Sequence, residues 1–193
     1  MSQRKKVAVL ISGRGSNMSA LIEAAKADDY PAEIVLVVSN KPDAMGLEVA
    51  RSENIPAIAI DHTEFEARED FEEALHKALL EHDVEIVVLA GFMRKLTGSF
   101  TGKWQGAMIN IHPSLLPKYK GLNTHQRALD AGDKEHGCTV HYVTAELDGG
   151  PIIMQATVPV LEGDTPDDLA ARILVQEHRI FPLSLAKVAR KPN

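Results

Sequence analysis

The chain has 193 residues, 45% of them hydrophobic and 25% charged, which fits one globular domain with a substantial core. A net charge of -6 removes the electrostatic case for a nucleic-acid partner. No apolar run approaches the roughly 18 residues of a membrane span and no signal-peptide segment opens the chain; the single cysteine, Cys138, excludes an internal disulfide framework and agrees with a reducing cytoplasm.

In chain order, residues 7–12 (VAVLIS) predict a first strand, followed by Gly13-Arg14-Gly15-Ser16-Asn17 and the helical spacing of Met18, Leu21, Ile22 and Ala25. A glycine-rich turn between strand and helix exposes backbone N–H groups at a helix N-terminus, where a phosphate fits. Ser16 and Asn17 are equally good N-caps, and capping alone would account for them. The loop is neither Gly-x-Gly-x-x-Gly nor a P-loop. Residues 33–40 predict a second strand that ends in Ser39-Asn40-Lys41-Pro42, without the acidic residue a dinucleotide ribose requires. A helix over 46–54, a short strand over 57–61, an amphipathic helix over 64–82 and a strand over 85–91 follow.

Met108-Ile109-Asn110-Ile111-His112 reads as a buried strand, because apolar and β-branched residues fill both parities. Pro113 ends it. Asn110 and His112 then point to one face at the carboxyl end of a strand, where open parallel sheets bind ligands. With Asp148 of Glu146-Leu147-Asp148-Gly149-Gly150-Pro151, they form a set of donors and a proton carrier suited to an oxyanion-like tetrahedral intermediate. The competing reading is that Asn110 and His112 only satisfy the loop after the strand.

A short helix over 124–131, a strand over 138–144, a strand over 152–160 and a helix opened by Thr165-Pro166 and running towards Phe181-Pro182 complete the chain. The alternation of CTVHYVT predicts an antiparallel strand with one exposed face, which places His141 at the surface or behind the site. These elements predict an α/β fold: a single-domain, Rossmann-like open sheet, mostly parallel, with helices on both faces and an antiparallel strand near the C-terminal part. The domain is expected to span 1–193, with a phosphate-binding half over about 1–105 and a catalytic half over about 106–193. The 8 histidines include no set with convincing zinc spacing, so no metal is expected.

The segments VAVLISGRGSN, VVSNKPDAMGLEVA, VVLAGFMRKL, INIHPSLLPKYKGLNTH, HGCTVHYVTAELDGGPIIMQ and QEHRIFP occur in order along nearly the whole chain. Together they resemble the phosphoribosylglycinamide formyltransferase family, within the wider folate formyltransferases. The resemblance implies formyl transfer from 10-formyltetrahydrofolate, as co-substrate, to the amine of 5-phosphoribosylglycinamide in purine biosynthesis, in the cytoplasm, by a monomer or homodimer without a metal. It implies catalytic roles for Asn110, His112 and Asp148. Gly15, Ser16 and Asn17 match the phosphate loop, and Glu177 the ribose contact. Arg68, Met93, Arg94, Lys95, Leu96, Thr144, Ala145, Glu146 and Leu147, with Asn110 and Asp148, match the folate pocket. Plain core packing is an equal reading for Leu96 and Leu147.

Leu174 stands where a polar or basic residue often meets the phosphate, and Asn123 where some members have His. Formyltetrahydrofolate hydrolase and methionyl-tRNA formyltransferase are the nearest rivals. The first is expected to carry an added N-terminal domain and the second an added C-terminal one. A non-catalytic phosphate-binding module is the rival from another class.

Overall fold

Alternate residues of β1 (Lys5–Ile11) feed two separate cores. Val7, Val9 and Ile11 join Met18, Leu21 and Ile22 of α1 (Ser16–Ala25) and Leu47 and Ala50 of α2 (Met45–Ser52). Ala8 and Leu10 join Phe71, Leu75 and Leu79 of α3 (Arg68–Glu81) and Phe100 of α4 (Gly98–Lys103) on the other face. Period-2 alternation with both faces covered makes residues 7–11 of the strand apolar throughout, as the buried part of a central parallel strand is. This computed structural model describes residues 4–191, so the ends of the expected 1–193 domain lie outside the described residues.

Among the described residues the other strands are β2 (Ala32–Ser39), β3 (Ala57–Ala59), β4 (Ile86–Leu89), β5 (Met108–His112), β6 (Glu135–Tyr142) and β7 (Ile152–Pro159). They form one sheet in the order β3-β2-β1-β4-β5-β6-β7. β3, β2, β1, β4 and β5 pair in parallel, while β6 runs antiparallel to both β5 and β7. The expected fold class is borne out, including the antiparallel strand. The order reverses at β1, so the loops leaving β1 and β4 diverge there and open a crevice at the carboxyl ends.

β6 begins at Glu135, three residues before the strand expected over 138–144, and three helical elements also differ from the sequence expectation. The helix expected from residue 64 begins at Arg68, because Asp61 accepts the Thr63 N–H at 2.9 Å and caps a separate 3-10 turn, His62–Glu64. α4, which the sequence reading missed, opens on Thr97, whose hydroxyl accepts the Phe100 N–H at 3.2 Å. α6 (Pro166–Ala189) opens at Thr165 with the expected cap but continues beyond Pro182. An interior proline costs roughly 3 kcal/mol. Phe181, Leu185 and Val188 are buried around it, and each such side chain contributes about 1.5–3 kcal/mol, so packing wins. α5 (Thr124–Asp130) follows β5 and packs against α6.

Candidate active site

β5 lies antiparallel to β6 with Asn110 opposite His141 and His112 opposite Thr139. Directly opposite residues share a face, so four polar side chains stand together where the apolar α3 and α4 layer stops. Thr139 is fully engaged in structure: its hydroxyl donates to the Ser114 carbonyl at 2.7 Å and accepts from Leu116 N–H at 3.1 Å and Gln155 Nε2 at 2.8 Å. His112 and His141 face Asp148, and Asn110 is bonded to His141.

Asp148 enters from the loop between β6 and β7 in a left-handed conformation, φ 49°. Its Oδ2 accepts the Gly121 N–H at 2.9 Å and lies 3.5 Å from His112 Nδ1, while Oδ1 lies 3.8 Å from His141 Nε2. Gly150 permits this entry, since a Cβ there would stand 1.7 Å from the Tyr142 carbonyl oxygen. His112 Nε2 donates to the Tyr119 carbonyl at 2.8 Å. The buried His112 ring thus has the Tyr119 carbonyl at one nitrogen and the Asp148 carboxylate near the other.

The exposed face expected of this strand is not realised, because β6 is covered on both faces. Of the two places expected for His141, the surface or behind the site, it takes the second and is 2% exposed. Burial lowers its pKa below the ordinary histidine value, with the Tyr142 carbonyl and the Asp148 charge opposing more weakly. The neutral ring donates from Nδ1 to the Tyr142 carbonyl at 2.9 Å, which leaves Nε2 to accept from Asn110 Nδ2 at 3.2 Å. One amide proton of Asn110 is thereby fixed on His141, and the half-buried amide has a second proton to offer. Pairing across β5 and β6 was the signal in the sequence: Thr139 and His141 repeat the spacing of Asn110 and His112.

The N-cap of α1 is Gly15 in a left-handed conformation, φ 76°, with no side-chain cap. The capping roles considered for Ser16 and Asn17 are therefore not realised. The first intrahelical bond is Ser19 N–H to the Gly15 carbonyl at 2.8 Å, which leaves the amides of Ser16, Asn17 and Met18 without an intrahelical acceptor. Asn17 Nδ2 instead donates to Glu177 Oε2 at 2.8 Å, and Asn17 Oδ1 is buried without a protein partner. Glu177 comes from α6; burial pushes its carboxyl up, against the Asn17 hydrogen bond and the nearby His112. The glycine loop is thus bonded to Glu177, which in turn lies close enough to His112 at the β5 end to feel its charge.

The residues matched to a folate pocket spread more widely. Met93 N–H donates to Ser12 Oγ at 2.8 Å, tying the turn after β4 to the end of β1. Arg94 lays its guanidinium 5.3 Å over the Phe71 ring, and Lys95 is exposed. Leu96 is buried in the α3–α4 core, so packing accounts for it, whereas Leu147 is half exposed and belongs to no core. Buried Glu72 takes the Thr97 N–H at 2.6 Å and fixes the end of this turn. Ala145 approaches from the opposite side, 3.2 Å from where a Cβ on Gly98 would lie. Thr144, Ala145 and Glu146 are exposed, and Glu146 pairs with Lys120 at 2.7 Å. Arg68 is exposed at the start of α3. Leu174 is half-buried on α6, and Asn123 is exposed at the N-cap of α5 with no side-chain cap.

Among the described residues no group of three or more His, Cys, Asp and Glu is arranged to hold a metal ion. Among them also no helix is long and apolar enough to cross a membrane.

A sequence profile of the formyl transferase family matches residues 5–185. Phosphoribosylglycinamide formyltransferase of Escherichia coli (strain K12) is 49% identical over 180 residues, 93% of this chain and 85% of that protein. Trifunctional purine biosynthetic protein adenosine-3 of Chironomus tentans is 52% identical over 188 residues, 96% of this chain, and the chain spans only 14% of that protein's length. The crystal structure of phosphoribosylglycinamide formyltransferase from Brucella melitensis superposes with a TM-score of 0.94 at 51% identity, covering 99% of this chain and 98% of that one. Glycinamide ribonucleotide transformylase 1 from Symbiobacterium toebii superposes with a TM-score of 0.95 at 43% identity, over 98% of this chain and 89% of that one.

Proposed function

The chain belongs to the formyl transferase family, and from that premise we infer that it transfers the formyl group of 10-formyltetrahydrofolate to the amine of 5-phosphoribosylglycinamide. The products are the N-formyl compound and tetrahydrofolate, a step of purine biosynthesis, and the setting is the cytoplasm. The observation that carries the reading is the convergence of Asn110, His112 and Asp148 at the carboxyl end of β5, beside the α1 loop.

The substrate amine attacks the formyl carbon and forms a C–N bond, giving a tetrahedral intermediate with a negative oxygen and a positive amine. The Asn110 amide proton not held by His141 donates to that oxygen, and protonated His112, whose Nε2–H is held by the Tyr119 carbonyl, adds its Nδ1–H as a second donor and positive charge. His112 then passes a proton to N10 of the folate as the C–N10 bond breaks. Asp148 keeps the imidazolium oriented and, through water, collects the proton that the amine sheds and hands it on to His112 Nδ1, which returns both groups to their starting state. Net, one proton moves from the amine to N10.

Around this centre, the amides at Gly15, Ser16 and Asn17 receive the substrate phosphate, and Glu177 accepts from a ribose hydroxyl. The backbone of residues 93–96 and 144–148 reads the pterin ring, with Arg68 towards the rest of the folate.

The test is an absorbance assay with 10-formyltetrahydrofolate, run with and without 5-phosphoribosylglycinamide. Folate release that requires the amine, with formylated product identified by mass, is the expected result. Release without the amine would make the activity a hydrolase. No release from folded protein in either case would overturn the reading.

A further inference from the structure

Residues 118–121 touch both members of the His112–Asp148 pair: the Tyr119 carbonyl takes His112 Nε2–H at 2.8 Å, and the Gly121 N–H binds Asp148 Oδ2 at 2.9 Å. The segment is turned by Tyr119 itself, at φ 53°. A residue with a Cβ takes that conformation uncommonly, and for a bulky one the surroundings have to favour it.

The surroundings here are specific. The Tyr119 hydroxyl donates to Asp133 Oδ2 at 2.7 Å, and Lys118 Nζ reaches both oxygens of the same carboxylate at 3.2 and 3.1 Å. Arg127 on α5 donates to the Lys120 carbonyl at 2.7 Å while its guanidinium lies 5.2 Å over the Tyr119 ring. Ser114 Oγ donates to the Lys118 carbonyl at 2.6 Å. Asp133 is itself held behind α5, its N–H on the Ala128 carbonyl at 3.1 Å. Exposed ion pairs of this kind add little stability, so their consequence lies in where they hold the Tyr119 carbonyl.

We propose that Tyr119 and Asp133 are positioning residues for the reaction: their hydroxyl–carboxylate bond fixes the carbonyl that receives His112 Nε2–H and so aims His112 Nδ1 at Asp148. Neither touches the reacting atoms. The proposal rests on the catalytic reading of His112.

The experiment compares Tyr119→Phe, Asp133→Ala and Asp133→Asn in the full chain, by steady-state kinetics, thermal melting and the side-chain nitrogen resonances of His112. Tyr119→Phe and Asp133→Ala are expected to lower kcat about tenfold, as loss of an orienting partner does, with both KM values within about twofold. The His112 resonances move in those two variants. Asp133→Asn, whose amide oxygen still accepts the hydroxyl, restores most of kcat and the resonances. Wild-type kcat with unmoved His112 resonances, or a loss confined to KM or melting temperature, would overturn the proposal. His112→Ala is the control for the layer beneath: full turnover there would refute the catalytic reading and the proposal's kinetic part with it. The resonance shift in Tyr119→Phe would in that case still show residues 118–121 acting on the ring.

Discussion

His141 Nε2 lies 3.2 Å from Asn110 Nδ2, and the direction of that hydrogen bond is set one atom further away, by the Tyr142 carbonyl 2.9 Å from His141 Nδ1. A carbonyl only accepts, so Nδ1 carries the proton and Nε2 must accept. The amide of Asn110 is thereby prevented from flipping, and its remaining proton is aimed without any contact from the ligand side.

Replacing His141 by Phe keeps a ring in the space but removes the acceptor. We expect kcat to fall about tenfold, in the range typical of lost orienting partners, with KM for the amine nearly unchanged. Burial already holds His141 neutral near pH 7, so the comparison is between an oriented and a free amide and carries no change of charge. A Phe variant with wild-type kcat would show that Asn110 orients itself.

Substituting the pair that does the chemistry has a larger expected effect. Removing one oxyanion donor typically raises the barrier by about 2.7–4 kcal/mol. His112→Ala and Asp148→Asn are each expected to lower turnover at least about a hundredfold while both proteins remain folded, because Asp148→Asn still presents an oxygen to the Gly121 N–H. Single-turnover measurement on the purified variants decides this, and near-wild-type rates in either would remove that residue from the mechanism.

Much of this arrangement was legible in the sequence because the same residues carry local and global signals. Met108 to His112 was bounded correctly by β-branched filling of both parities and by Pro113. Thr165, Pro166 and Asp168 announce the start of α6 as a complete capping box. What escaped depended on pairing between distant segments. Whether His141 lies at the surface or behind the site stays open in the sequence, because alternation along one strand cannot tell what covers its polar face, and here the cover is the Asp148 loop. The carbonyl of Tyr119 and the amide of Gly121 act through backbone atoms, which leave no residue-type signal. The helix expected from residue 64 failed for a local reason, the competing turn capped by Asp61.

Gly150 is expected to be the least replaceable residue of the Asp148 loop. A Cβ there meets the backbone of Tyr142, which cannot swing aside as a side chain would. Gly150→Ala should therefore displace the loop, at a cost of about 1–3 kcal/mol in stability, as overpacking does. Because Asp148 lies two residues earlier, turnover should fall as well. Gly149→Ala is the contrast, since its nearest neighbours are atoms of the flexible, exposed Glu146 side chain. Denaturant midpoints that put the two variants level would refute the distinction.

Acid should loosen the layer behind His112 before it affects the rest of the fold. His136 is buried on β6 with Nε2 3.2 Å from His125 Nδ1, and its pKa is lowered from 6.5 to about 4, first by burial and then by His125, with Asp133 opposing and His112 and Lys118 adding smaller effects. Burial lowers His125 in the same direction. A depressed folded pKa means that the unfolded chain binds more protons over this interval, so the stabilisation is present above about pH 6.5 and is lost as pH falls towards 4. His136 alone accounts for about 3 kcal/mol of that loss, the opposing pull of Asp133 already included in its lowered pKa. His136→Gln is expected to be less stable at neutral pH, where it gives up its buried ring, yet to show a flatter decline on acidification. Urea unfolding at a series of pH values separates the two terms, and an acid decline as steep in the variant as in the parent would place the responsible group elsewhere.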